Sequence, residues 1–213
     1  MKLALLKGFH YDTVDSTMEE AKRLIRNGEI QDTAFVIASH QTKGKGTYGR
    51  SWVSPQGAGI YLSVIHLPKE KRLFTLSTLY TLSAGIACVE AIKEVTKLET
   101  KLKPINDIYV NNKKLGGILI ESELQKDGIS ALVTGIGINT HNIERSLDKN
   151  LILPISLEEL LPSEEFNKLS INILTETIIE KICYWHNLIF QGEKDKIEQT
   201  WELYKLSSLP HGC

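Results

Sequence analysis

Apolar residues in this chain recur every second position in some stretches and every third or fourth in others, and the switches between the two rhythms outline its elements. Residues 9–14 read as a strand. Ser16-Thr17-Met18-Glu19 then has capping-box spacing, which predicts a helix through Arg26 that Asn27-Gly28 stops. Ala34-Phe35-Val36-Ile37-Ala38-Ser39 is apolar enough for a buried strand, and residues 59–65 predict another. Residues 73–95 have the length and periodicity of a long core helix, with Cys88 inside it as a small hydrophobe. Short strands follow at 101–102 and 107–110, then an Asn111-Asn112 turn, then strands at 114–123 and 129–138. The remainder is helical, around Leu157 and over 170–204. Strands joined by short turns predict an α+β fold, a mixed and largely antiparallel sheet with flanking helices, and exclude a doubly wound sheet.

Between the strands at 34–39 and 59–65 runs Lys43-Gly44-Lys45-Gly46-Thr47-Tyr48-Gly49-Arg50-Ser51-Trp52-Val53-Ser54-Pro55. Its glycines allow close backbone approach, and Lys43, Lys45 and Arg50 add positive charge, a combination that suits a polyanion such as a nucleotide phosphate. A solvated basic hairpin has the same composition. Gly44, Gly46 and Gly49 match the dinucleotide pattern, yet Pro55 and Gly57 forbid the helix that this pattern requires. A P-loop fails for the same reason, and arginine stands where that motif needs lysine.

Composition narrows the options further. The 213 residues make one domain with a real core, and a net charge of -1 excludes a bulk nucleic-acid binder, so any basic site is local. Three widely spaced cysteines form neither a disulfide framework nor metal-ligand spacing, which points to a reducing, cytoplasmic setting. No apolar run approaches the ~18 residues of a membrane span.

Four segments matter together: Asp15-Ser16-Thr17; Gln41-Thr42 with the glycine loop; Lys103-Pro104-Ile105-Asn106-Asp107 with Lys113-Lys114-Leu115-Gly116-Gly117; and Gly135-Ile136-Gly137-Ile138-Asn139. In this order and spacing the chain resembles the catalytic domain of biotin protein ligases, strongly over 14–139 and more weakly to 204. The resemblance implies a fold like that of class II aminoacyl-tRNA synthetases and a two-step reaction. Biotin and ATP, with Mg²⁺, would give biotinyl-5'-AMP; biotin would then pass to a lysine of a biotin carboxyl carrier protein, typically that of acetyl-CoA carboxylase. The resemblance makes Lys114, Arg50 and Lys45 the catalytic cations, and Asp107 a candidate Mg²⁺ ligand. Ser16, Thr17, Met18, Gln41, Lys45, Gly46, Thr47, Lys114 and Gly117 would hold biotin, and Gly44, Gly49, Arg50, Trp52, Asn106 and Asn139 the nucleotide. A homodimer is the assembly it suggests, with no nucleic acid and no membrane as partners. Taken alone, Ser16 reads equally as a helix cap, Trp52 as a core residue and Lys114 as a turn lysine.

The chain also departs from the family pattern. Most members carry arginine where Lys45 and Thr47 stand, and asparagine where Met18 stands; a Trp-Pro pair has become Pro104-Ile105. Losing a cation at Thr47 is expected to weaken adenylate retention; Thr47→Arg should slow adenylate escape, and an unchanged off-rate would refute this. Residues 1–205 are read as the biotin- and ATP-binding catalytic domain, and 206–213 as a stub where a small SH3-like domain would begin. With no winged helix ahead of it, no repressor role is expected. The competing readings are a lipoate–protein ligase or octanoyltransferase, and a non-catalytic biotin or nucleotide sensor.

Overall fold

A computed structural model describes residues 6–67, 77–104, 106–125, 128–142 and 153–207. Seven strands form one sheet in the order β1-β2-β3-β7-β6-β5-β4. They are β1 (Lys7–Val14), β2 (Ala34–Gln41), β3 (Gly59–His66), β4 (Lys101–Lys103), β5 (Asp107–Val110), β6 (Lys113–Gln125) and β7 (Gly128–Asn139). β1 and β2 pair in parallel, and every other neighbouring pair is antiparallel. The expected α+β class and mixed sheet are therefore what the chain forms. Asn111 and Asn112 both take positive φ, at 48° and 61°. That is the conformation a tight hairpin turn needs, and one asparagine tolerates.

Helices cover both faces of the sheet. On one lies α1 (Thr17–Arg26), which buries Met18, Ala21, Leu24 and Ile25 at helical spacing against Val36, Ile65 and Val133. The other face carries α2 (Ser77–Thr96), then α5 (Ile171–Phe190) and α6 (Lys194–Tyr204), after the short α3 (Leu157–Leu160) and α4 (Ser163–Lys168). α2 is apolar nearly all round because it lies between the sheet and α5, and Cys88 within it is fully buried as expected. Burial pushes that thiol up to about 12, so it stays an inert hydrophobe. Trp185 Nε1 donates to Glu90 at 2.9 Å and ties α5 to α2.

Some expectations change. Residues 73–76 of the expected long helix lie outside the described residues, as does Ile105. The stretch 170–204 is two helices, broken where Gly192 takes φ 78°. The capping box expected at Ser16 is absent, since the Ser16 side chain makes no cap bond. A full one stands instead at Ser156 and Glu159, whose carboxylate accepts from Ser156 N–H at 2.9 Å.

His66 at the end of β3 stacks on Phe190 at 4.9 Å, and His186 of α5 packs edge-on against it and against Tyr80. Burial holds the His186 imidazole down at about 3 and His66 at about 4. Unfolded, both titrate near ~6.5. Between these values the unfolded chain binds more protons, so stability is full above ~6.5 and falls as pH drops. Each histidine contributes a slope of up to ~1.4 kcal/mol per pH unit. The melting temperature should fall between pH ~6.5 and ~4, and His186→Phe should flatten that fall; an unchanged slope in the variant would refute the assignment.

Candidate active site

Because β1 and β2 run in parallel, with Val14 opposite Gln41, both C-terminal ends reach the same edge of the sheet. The two exits are stitched together: Thr42 N–H donates to the Val14 carbonyl at 2.9 Å and Lys43 N–H to that of Asp15 at 2.7 Å. Arg23 grips the Asp15 carboxylate at 2.6 and 3.0 Å and holds it down at about 2. This fixes the turn that carries Ser16 beside the glycine loop.

A buried hydrogen-bond chain crosses the junction. Ser63 Oγ donates to Thr17 Oγ1 at 2.9 Å, and Thr17 donates through N–H and Oγ1 to Gln41 Oε1, at 2.8 and 3.2 Å. Gln41 Nε2 donates to Ser54 Oγ at 2.8 Å, and Ser54 Oγ to the Trp52 carbonyl at 3.1 Å. Gln41 is thus a structural hub with one side-chain N–H left for a ligand. Ser16 Oγ is buried and without a hydrogen-bond partner among the described residues, as is Trp52 Nε1.

The glycine loop is a small hairpin. Trp52 N–H donates to the Gly44 carbonyl at 2.9 Å and Gly46 N–H to that of Arg50 at 2.8 Å. Its tip is a 3-10 turn at Thr47–Gly49 in which Tyr48 and Gly49 take φ 58° and 72°. Arg50 lies outside, held by the Thr47 carbonyl and hydroxyl at 3.2 and 3.0 Å. Thr47, which lacks the expected charge, serves instead as an anchor for Arg50.

Beneath the hairpin, β6 and β7 present glycine. Gly117 pairs with Gly137, and the Trp52 indole lies across both. A methyl on Gly137 would come within 2.4 Å of the ring. Gly135 likewise makes room for the Met18 thioether. Lys114 joins this surface through a β-bulge, because β5 pairs Tyr109 with Lys114 but Ile108 with Gly116. The extra residue, Leu115, brings Lys114 and Gly117 onto one face, which regular alternation would separate. Lys114 Nζ lies 2.6 Å from Asp107 and 5.4 Å from the centre of the Trp52 ring. Across the cleft Lys45 pairs with Glu19, which raises the lysine's pKa and lowers that of the carboxyl.

Two spaces result. The inner cleft, only about 40 Å³, is lined by all nine residues expected to hold biotin, together with Trp52 and Asn106. Leu119, Gly135 and Gly137 line it too, and the alternation Gly135-Ile136-Gly137 is the signal in the sequence for the two glycines. The outer groove, about 950 Å³, is lined by Gly44, Gly49, Arg50 and Trp52. Asn139 lines neither: its amide donates to the carbonyls of Lys114 and Ile155 at 3.3 and 3.0 Å, so it braces the strand behind Lys114. Asp107 does not fit a resident metal site. Its carboxylate is paired with Lys114, and among the described residues no three His, Cys, Asp or Glu are placed so that they could hold a metal ion. Nor is any described helix long and apolar enough to cross a membrane.

Known proteins are similar to this chain in sequence and fold. The chain is 35% identical over 135 residues to the bifunctional ligase/repressor BirA of Bacillus subtilis, covering 62% of this chain and 40% of that protein. It is 30% identical over 168 residues to the biotin–[acetyl-CoA-carboxylase] ligase of Mycobacterium tuberculosis, covering 76% of this chain and 58% of that one. The chain thus spans well under two thirds of the length of these relatives. Among solved structures, the biotin protein ligase of Aquifex aeolicus in complex with biotin and ATP superposes with a TM-score of 0.78 at 25% identity, covering 97% of this chain and 84% of that one. Residues 11–139, which run from within β1 to the last residue of β7 and include every residue named as lining the cleft, match the Biotin/lipoate A/B protein ligase family, and the chain belongs to it.

Proposed function

We propose that this chain activates biotin with MgATP and transfers it to a lysine of a biotin carrier protein. One observation carries the reading: Lys45 and Lys114 line a single cleft with a glycine floor under Trp52, and the cleft is also lined by Ser16, whose hydroxyl has no hydrogen-bond partner among the described residues. A neutral, hydrogen-bonding ureido head suits Ser16 Oγ and the free Gln41 N–H, and an apolar tail suits the glycine floor and Met18. A carboxylate leaving that pocket meets the lysines. In the first step a carboxylate oxygen attacks the α-phosphorus, the bond to pyrophosphate breaks, and biotinyl-5'-AMP forms. Two anions approach and charge builds on phosphate, so Lys114 and Lys45 offset repulsion where it is greatest. In the second step the carrier's neutral lysine amine attacks the acyl carbon and loses a proton. AMP leaves and an amide remains. Mg²⁺ enters as part of the substrate, chelated by ATP.

The inner cleft is far below the ~300 Å³ of ordinary ligand pockets. Displacement of Trp52 from the glycine floor would make the room that biotin needs. Residues up to 205 suit one catalytic unit, since Leu206 N–H bonds the Leu102 carbonyl at 2.8 Å and ties the exit of α6 to β4. The test is incubation with biotin, MgATP and a purified carrier domain, followed by intact-mass analysis of the acceptor. One biotinyl amide on the acceptor lysine is expected. Lipoyl transfer in its place would assign the rival ligase, and biotin binding without transfer a sensor.

A further inference from the structure

The Ser16 side chain makes no cap bond, so the backbone of Ser16 decides where its hydroxyl stands. That backbone is extended, at φ -157° and ψ 136°. Its carbonyl accepts from Glu20 N–H at 2.9 Å and opens α1, and its N–H donates to Asp15 Oδ1 at 2.7 Å. Asp15 is in turn gripped by Arg23, which reaches back eight positions along the chain. One guanidinium nitrogen lies 2.6 Å from the oxygen that Ser16 N–H shares, and the other lies 3.0 Å from Oδ2. Such a planar fork fixes a carboxylate in rotation as well as in position. Arg23 is itself held, since its Nε donates to one Glu20 oxygen at 2.7 Å. The other Glu20 oxygen accepts from the Tyr11 hydroxyl of β1 at 2.8 Å. Burial and that carboxylate push the Tyr11 phenol up to about 12, so it stays a donor. A chain of polar contacts thus runs from β1 through α1 to Ser16, yet neither Arg23 nor Asp15 lines the inner cleft or the outer groove.

We infer that Arg23 is a positioning residue for recognition of the acid: through Asp15 it holds the Ser16 backbone, and with it the hydroxyl that meets the ureido head. The inference rests on the reading that this cleft takes biotin. Without the guanidinium the Asp15 carboxylate regains its rotamers, and Ser16 N–H trades it for water part of the time. Affinity then falls by the fraction of chains whose hydroxyl is out of place. The Arg23 and Asp15 side chains are 42% and 39% exposed, so the effect is that of a screened pair and is modest. The contact to the ureido head is the same before and during the reaction. Its loss therefore weakens binding and leaves the rate at saturating biotin unchanged.

A neutral ligand separates positioning from plain charge attraction. Biotin amide carries no charge, so the lost cation acts on it only through the turn. Titration calorimetry of biotin amide with the full chain is expected to give roughly two- to fivefold weaker binding for Arg23→Met. Arg23→Lys keeps the charge without the fork and should fall between that variant and the wild type. In a Ser16→Ala background, Arg23→Met should cost nothing further, because the hydroxyl that it places is gone. In pyrophosphate exchange, Arg23→Met should raise KM for biotin by the same factor and leave kcat alone. Unchanged affinity in the single variant, an equal loss in both backgrounds, or a fall in kcat would overturn the inference while leaving the proposed reaction standing. A wild-type chain that binds no biotin amide would overturn the reading beneath it.

Discussion

Lys114→Met is expected to lower the rate of adenylate formation by about 10²–10³-fold, the cost of removing one preorganised charge-stabilising group. Stability and chemistry must be separated, because Lys114 holds the Asp107 carboxylate at 2.6 Å and the two side chains are only 19% and 11% exposed. Loss of the lysine strands a nearly buried carboxylate, which costs of order 1–3 kcal/mol. The double variant Lys114→Met/Asp107→Asn removes that penalty and should recover the melting temperature. It should not recover activity. A double variant with restored activity would mean that Lys114 is structural, an anchor for Asp107 rather than a group that meets the reacting anions.

Gly44→Ala is the second large effect. A methyl there would lie 2.4 Å from the Trp52 carbonyl oxygen, 2.7 Å from Ser54 Oγ and 3.1 Å from Gln41 Nε2. The first of these is backbone and cannot step aside alone. The hairpin stem and the Gln41–Ser54–Trp52 chain would shift together, and a displacement on the order of 1 Å costs about 10²-fold in rate. Gly49 is the control. It takes φ 72° with open space around its missing side chain, so Gly49→Ala strains the tip by about 1–2 kcal/mol without a clash. Pyrophosphate exchange rates for the two variants should differ by about tenfold or more, with Gly44→Ala the weaker. Equal rates would mean that the stem contacts do not set the site.

The strands were legible because β-branched runs bounded by glycine and asparagine admit few other readings, and Asn111-Asn112 marked its own turn. The inner cleft was legible as well, since four separated motifs had to converge. Partner choice was not. Glu19 sits three residues after Ser16, where a capping box would use it, yet it bonds Lys45, 26 positions away, because the hairpin folds over α1. Nothing local in Leu115 marks the bulge that turns Lys114 toward Gly117; it exists only in the register between β5 and β6. Gln41 read as a ligand-binding amide, but its oxygen is consumed by Thr17. Asn139, read as a nucleotide contact, satisfies two carbonyls behind the cleft. Each case turns on long-range pairing, of a polar atom or of a strand, which spacing along the chain does not encode.

The proposed function requires this cleft to join a biotin carboxylate to the α-phosphate of ATP. Exchange of labelled pyrophosphate into ATP by the purified chain, with biotin, lipoate or octanoate as the only acid, tests it most directly. Exchange that depends on biotin and is lost in the Lys114→Met/Asp107→Asn variant is the predicted result. Exchange supported by lipoate or octanoate instead, or none with any acid in a folded chain that binds biotin, would contradict it.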